Sequence, residues 1–259
     1  MRRWWVGLLL LAMLGGCVTT TNSIFTRKEN KTQAVKDYVQ LGLAYTQQGN
    51  YDLARQHFQK ALTIDGNSAG ALAGMGLLYQ IQDEPDLAEQ SFEKAIDSDP
   101  SYTRGRTFYG AFLYARGRYQ DCYDQFSRAA QDVTFPDRSL IYTNLGRCAE
   151  KIGRQEEAIQ DFRKALGINR QNIPALLGLT KALLASNRYT EARRYNLQMN
   201  DLISASPKVQ PSADALWVSI RIARHFNDAD REASLALLLR NLYPKSEEYK
   251  QYKALISHE

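Results

Sequence analysis

Histidine is scarce in this chain: His57, His225 and His258 are the three among 259 residues. None has a partner at metal-binding or catalytic spacing, so the sequence offers neither a histidine-based metal centre nor a catalytic pair. Cysteine is as rare, and Cys17, Cys122 and Cys148 lack zinc-finger spacing. No block or stripe of one charge occurs. The net charge of +5 comes from 33 basic and 28 acidic residues mixed along the chain, which argues against a nucleic-acid partner. Phosphate-cradling glycine loops are missing, and the acidic pairs Glu156-Glu157 and Glu247-Glu248 sit where a helix first turn or solvent accounts for them. The expectation is a chain that is not an enzyme, with no cofactor, no metal and no small-molecule substrate.

A membrane-crossing helix needs about 20 apolar residues, and the run from Trp4 to Leu14 is too short. Following Arg2-Arg3, it has the length of a signal-peptide core. The next residues, Leu14-Gly15-Gly16-Cys17, resemble the bacterial lipobox, in which small residues let a signal peptidase cut before a cysteine that carries lipid. That resemblance makes residues 1–16 a removed signal peptide and Cys17 the lipidation site. An ordinary secretory signal with an incidental cysteine, or the buried start of a helix, is the alternative. Val18 follows where an aspartate would imply inner-membrane retention, so the resemblance implies the inner leaflet of the outer membrane, with the protein facing the periplasm. Several acyl chains, at about 0.8 kcal/mol per buried methylene, make a lasting anchor. Residues 17–32 show no apolar period and read as a flexible tether with a reach of roughly 20 Å.

What the chain has is a repeat. At an offset of 34 residues, Leu41-Gly42-x-x-Tyr45 aligns with Met75-Gly76-x-x-Tyr79 and Tyr109-Gly110-x-x-Leu113, and two further residues of spacing bring in Leu145-Gly146. Downstream, Ala54-x-x-x-Phe58 matches Ala88-x-x-x-Phe92, Cys122-x-x-x-Phe126 and Ala158-x-x-x-Phe162. This is the tetratricopeptide signature: helix A carries the glycine, helix B the small residue and the aromatic, and Pro100 closes the second unit. Glycine in mid-helix costs up to about 1 kcal/mol against alanine, so four in register argue for a packing need. The expectation is that Gly42, Gly76, Gly110 and Gly146 oppose Ala54, Ala88, Cys122 and Ala158 and let two backbones approach. Gly49-Asn50, Asp83-Glu84-Pro85, Gly117-Arg118, Gly153-Arg154 and Asn187-Arg188 would turn the chain between helices.

A fifth unit keeps Leu179 and Ala192 but has Thr180 for the glycine and Asn196 for the aromatic. An insertion, Ser206-Pro207-Lys208-Val209-Gln210-Pro211, precedes a divergent sixth unit around Trp217, Ala233 and Leu237. Tyr249, Tyr252 and Leu255 or Ile256 would cover the end of the stack from a last helix. The fold class is therefore all-α: a superhelix of about six helical hairpins plus a C-terminal capping helix. Units one to five occupy 33–205, the insertion 206–213, and the sixth unit with its cap 214–259.

Such a stack curves, and its inner wall carries the outward positions of the A helices. Those are Val39, Leu43, Ala73 and Leu77, then Arg104, Thr107, Tyr114, Thr143 and Arg147. The apolar end suits an amphipathic segment of a partner, with the arginines available for carboxylates; alternatively Val39 and Leu43 pack against the chain's own N-terminal segment. Cys122 and Cys148 fall on neighbouring helices of units three and four, where either a disulfide or two separate buried thiols would fit.

The stretch Tyr109-Gly110-Ala111-Phe112-Leu113, Gly117-Arg118-Tyr119, Phe135-Pro136-Asp137-Arg138-Ser139 and Asn144-Leu145-Gly146, with the lipobox and the Tyr243-Pro244-x-Ser246-x-Glu248-Tyr249 ending, resembles the type IV pilus biogenesis and stability lipoproteins of the PilF/PilW family. The resemblance implies a pilotin, a lipoprotein that binds the secretin subunit of the pilus machine and promotes its outer-membrane localisation and multimerisation. A different periplasmic scaffold, serving outer-membrane protein assembly or peptidoglycan enzymes, is the alternative.

Overall fold

The computed structural model describes residues 30–206 and 208–257, which form thirteen α-helices. Twelve pair into six hairpins: α1 (Lys31–Gln47) with α2 (Tyr51–Ile64), α3 (Ala69–Ile81) with α4 (Pro85–Ser98), α5 (Thr103–Ala115) with α6 (Tyr119–Ala129), α7 (Arg138–Lys151) with α8 (Gln155–Ile168), α9 (Ile173–Ala185) with α10 (Tyr189–Ser204), and α11 (Ala213–His225) with α12 (Ala229–Leu242). A last helix, α13 (Glu247–Ser257), packs on the sixth hairpin. The signal peptide and Cys17 lie outside the described residues. Lys31 and Thr32, read as tether, are the first turn of α1, which Asn30 caps by accepting from the Gln33 amide.

All six hairpins turn in one way. A residue in the left-handed region ends each A helix: Gly49, Asp83, Gly117, Gly153, Asn187 and Asn227, with φ between 55° and 77°. The next amide returns to a carbonyl five residues back, as Asn50 N to Tyr45 O and Asp228 N to Ala223 O, both at 2.9 Å. This bond satisfies a carbonyl that the helix end would otherwise leave open. Asp and Asn fill three of the positions because their short polar side chains tolerate this region better than most. The turn at Asn227 carries the pattern into the divergent sixth unit.

The glycines do not meet the alanines. A Cβ built on Gly42 would lie 2.4 Å from the ring of Phe58, one on Gly76 2.8 Å from Phe92, one on Gly110 2.7 Å from Phe126, and one on Gly146 2.9 Å from Phe162. The next hairpin adds a second glycine in two cases, Gly74 to Phe58 and Gly178 to Phe162. Phe58, Phe92, Phe126 and Phe162 are all fully buried, each contributing about 1.5–3 kcal/mol through burial. The missing side chain on helix A thus makes room for an aromatic ring from helix B, not for close backbone contact. Ala54, Ala88, Cys122, Ala158 and Ala192 are themselves fully buried small residues elsewhere in the core.

Two further expectations need correction. The sixth unit is read one residue out of register: Ala233 and Leu237 are exposed, while Ala236 and Leu239 enter the core beside Leu216 and Ile220. Glu232 stands at the place of the usual small residue, paired with Arg224 at 2.8 Å, so burial in α12 begins one turn later, at Ala236. On α13, Tyr249 and Tyr252 pack against that cluster, but Leu255 and Ile256 stay exposed; among the described residues the helix contacts only α11 and α12.

A disulfide joins Cys122 of α6 to Cys148 of α7, with Cα atoms 6.1 Å apart. It crosses the junction whose connecting segment, residues 130–137, is longer than those at 65–68 and 99–102, because the spacing gains two residues and α6 ends sooner after its phenylalanine.

Candidate functional site

Each A helix packs on the next: α1 on α3, α3 on α5, α5 on α7, α7 on α9 and α9 on α11. The backbones of consecutive B helices stand further apart, and long side chains bridge them, as Tyr123 to Glu157 at 2.8 Å and Arg163 to Glu191 at 2.6 Å. The stack therefore curves with the A helices inside, and their outward positions form the inner wall. No helix there is long and apolar enough to cross a membrane, and no group of His, Cys, Asp or Glu gathers to hold a metal ion among the described residues.

Five of the nine predicted wall residues divide between two clefts: Val39, Leu43 and Arg104 in one, Tyr114 and Arg147 in the other. The first, about 430 Å³, lies between α1 and the starts of α3 and α5. Val35, Val39 and Leu43, spaced one turn apart on α1, supply its apolar side; Tyr102 and Arg104 face them, with Lys36, Gln40 and Gln47 on the rim. Gly70 keeps the cleft narrow, since a Cβ there would stand 3.0 Å from Val39 and 3.3 Å from the Tyr102 hydroxyl. Burial pushes the Tyr102 phenol above its ordinary range, which disfavours its charged form. Arg104 places its guanidinium 5.9 Å from the ring centroid of Phe135.

The second cleft, about 400 Å³, is lined by residues of α5, α7, α9 and α11. Here Arg147 lies over the ring of Tyr114 at 4.5 Å, beside Ile173 and Leu177. Lys181 bonds Asp214 at 2.8 Å; burial opposes its charge, but the bond and charge of Asp214 outweigh this and raise its pKa.

Ala73 and Thr143 do not reach the wall surface. Ala73 is fully buried where α3 closes on Gly105 of α5. Thr143, also buried, donates to Ser139 O at 2.7 Å and accepts from Asn172 at 3.0 Å. Leu77 is half-buried against the core of the middle hairpins and lines neither cleft. Thr107 turns its hydroxyl back to Arg104 O at 2.7 Å. Val35 escaped the sequence reading although it continues the Val39–Leu43 stripe. Tyr102 gave no signal, because it precedes its helix.

Of the histidines, His57 stacks on Tyr45 at 5.2 Å and His225 on Tyr189 at 3.6 Å; both are packing residues. His258 lies outside the described residues.

Tetratricopeptide repeat models match residues 33–101, 120–173 and 153–201. The chain is 36% identical over 248 residues to the type IV pilus assembly protein PilF of Pseudomonas aeruginosa, covering 95% of this chain and 96% of that protein. The solved structure of Pseudomonas aeruginosa PilF superposes with a TM-score of 0.78 at 35% identity, covering 86% of this chain and 98% of that one. The crystal structure of PilW, described as a widely conserved type IV pilus biogenesis factor, shares the fold with a TM-score of 0.71 at 24% identity, over 85% of this chain and 98% of PilW. With six stacked hairpins and near-complete coverage of that relative, the chain belongs to the PilF family of tetratricopeptide proteins of type IV pilus assembly.

Proposed function

We propose that this pilus-biogenesis scaffold acts as a pilotin: an outer-membrane lipoprotein, anchored through Cys17 on the inner leaflet, that binds the secretin subunit and promotes its localisation and multimerisation. The observation that carries the reading is the first cleft, where Val39, Leu43 and Tyr102 offer an apolar slot on the inner wall near the start of the described chain. An amphipathic segment of the secretin would seat its apolar side chains there, as grooves of this kind take helices or strands. The work is tethering rather than catalysis. Lipid fixes location, the slot supplies recognition, and joining the two raises the local concentration of secretin without new contacts.

The test has two arms. Replacing Cys17 by serine is expected to release the protein from the outer-membrane fraction and to reduce heat-stable secretin multimers and surface pili. Leu43→Asp with Leu77→Asp, in a protein whose helicity is unchanged, is expected to do the same without moving the protein. Leu43 carries the cleft arm, because Leu77 lines neither cleft. Normal multimers in both variants would overturn the proposal.

A further inference from the structure

We infer that the second cleft is a separate carboxylate-binding subsite for an extended, acidic polypeptide segment. This rests on the reading that the inner wall receives a partner chain. Two cations stand one turn apart on α7 and face this cleft, Arg147 and Lys151. Each is backed by a tyrosine: Arg147 over Tyr114 at 4.5 Å, Lys151 beside Tyr119 at 5.9 Å, with the two rings packed edge to face at 5.3 Å. Neither has a carboxylate at ion-pair distance among the described residues. Arg147 makes one long hydrogen bond, to Asn144 Oδ1 at 3.3 Å, and Glu150 lines the same cleft without pairing to either.

The contrast with Lys181 is informative. It shares the cleft and is neutralised by Asp214 at 2.8 Å. The fold therefore places a carboxylate partner for one cation and leaves two others open, with their side chains held in place by aromatic faces. A guanidinium fixed in this way loses less freedom when it grips a carboxylate.

The opposite side is apolar, formed by Ile173 and Leu177 of α9. A strand lying between α7 and α9 directs alternate side chains to either side, so acidic residues would meet Arg147 and Lys151 while apolar ones meet Ile173 and Leu177. A polypeptide fits this arrangement better than a lipid surface, because the cations lie on the inner wall between hairpins and a bilayer presents its charges on a plane.

A fluorescein-labelled octapeptide alternating leucine and glutamate, titrated into the purified chain and followed by anisotropy, tests this against its leucine–glutamine isostere. The glutamate peptide is expected to bind at least about tenfold more tightly, with the advantage shrinking as salt is added. Arg147→Gln with Lys151→Gln, both exposed positions, should abolish the advantage, and Leu43→Asp should leave it intact. Equal affinities for the two peptides, or an advantage that survives the double substitution, overturns the inference. So does cation-dependent binding of phosphatidylglycerol vesicles without binding of the peptide. The readout needs no secretin: loss of the pilotin reading would leave the peptide result standing, and a negative peptide result would leave the pilotin tests untouched.

Discussion

Asn196 donates from Nδ2 to Ser219 Oγ at 2.8 Å, so a bond between two buried polar groups links the fifth hairpin to the sixth. One hairpin earlier, Phe162 holds the place of Asn196 and rests on Gly178, whose counterpart on α11 is Val218; Ser219 follows it at the place of Leu179. Asn200 joins the cluster, donating to Asn196 Oδ1 at 3.1 Å and to Ser219 at 3.3 Å, while Ser219 donates to Ala215 O at 2.9 Å. A satisfied hydrogen bond is worth about 1 kcal/mol net, less than a buried phenyl ring. What the polar seam adds is a demand for matched geometry.

Asn196→Phe alone is expected to lower stability by about 1–3 kcal/mol, since the ring would meet the Ser219 side chain in a packed site. Ser219→Gly in the same protein should recover part of the loss by clearing the side chain that Asn196 now contacts. A double-mutant cycle in urea measures the coupling; strictly additive effects would contradict direct packing of position 196 on position 219.

Gly146→Ala should cost about 1–3 kcal/mol, because its methyl would come within 2.9 Å of Phe162 inside a filled core. Gly167→Ala, with no atom within 4 Å of the added carbon, is expected to be neutral or mildly stabilising. Urea midpoints of the two variants decide it. Similar effects at both positions would mean that the phenyl ring yields without cost.

Replacing Cys122 and Cys148 by alanine removes a cross-link spanning 26 residues, which the chain-entropy model values at about 3 to 4 kcal/mol. Reductant should destabilise the parent protein by a similar amount and leave the double-alanine variant unmoved. Sensitivity of that variant to reductant would mean that the effect arises elsewhere.

Asp132 holds the segment between the third and fourth hairpins: it accepts from the Thr134 hydroxyl at 2.7 Å and amide at 3.0 Å, and from Thr103 Oγ1 at 2.7 Å. The Thr134 hydroxyl, then Thr103, hold its carboxyl below the usual range. A lowered folded pKa gives stability that is present above the unfolded value of about 3.9 and is lost as pH falls through the folded one. Asp132→Asn should flatten the decline of Tm below about pH 4 relative to the parent, as followed by circular dichroism. Parallel curves would show that other carboxylates carry the acid sensitivity.

The hairpin count was legible because glycine and phenylalanine recur at fixed spacing, and five of the six turn residues stood out by their backbone tolerance. Their contact was misread, since a small residue on each helix suggests two backbones meeting; periodicity tells which face is inward but not what fills it. The same limit explains Ala73 and Thr143. They share the period of Leu43 and Leu77, yet α5 and α9 close over them. In the sixth unit the alignment slid because Glu232, held by Arg224, occupies a place that the pattern reserves for alanine. The split into two clefts depends on Tyr102 and Gly70, which lie outside the signature positions.

The cross-link has a consequence for a severed chain. The spacer at 130–137, with Val133 70% exposed, lies between the two bonded cysteines. A protease that nicks it would not part the molecule: both fragments would migrate as one body on a gel until a thiol was added, and the scaffold would outlive its own cut.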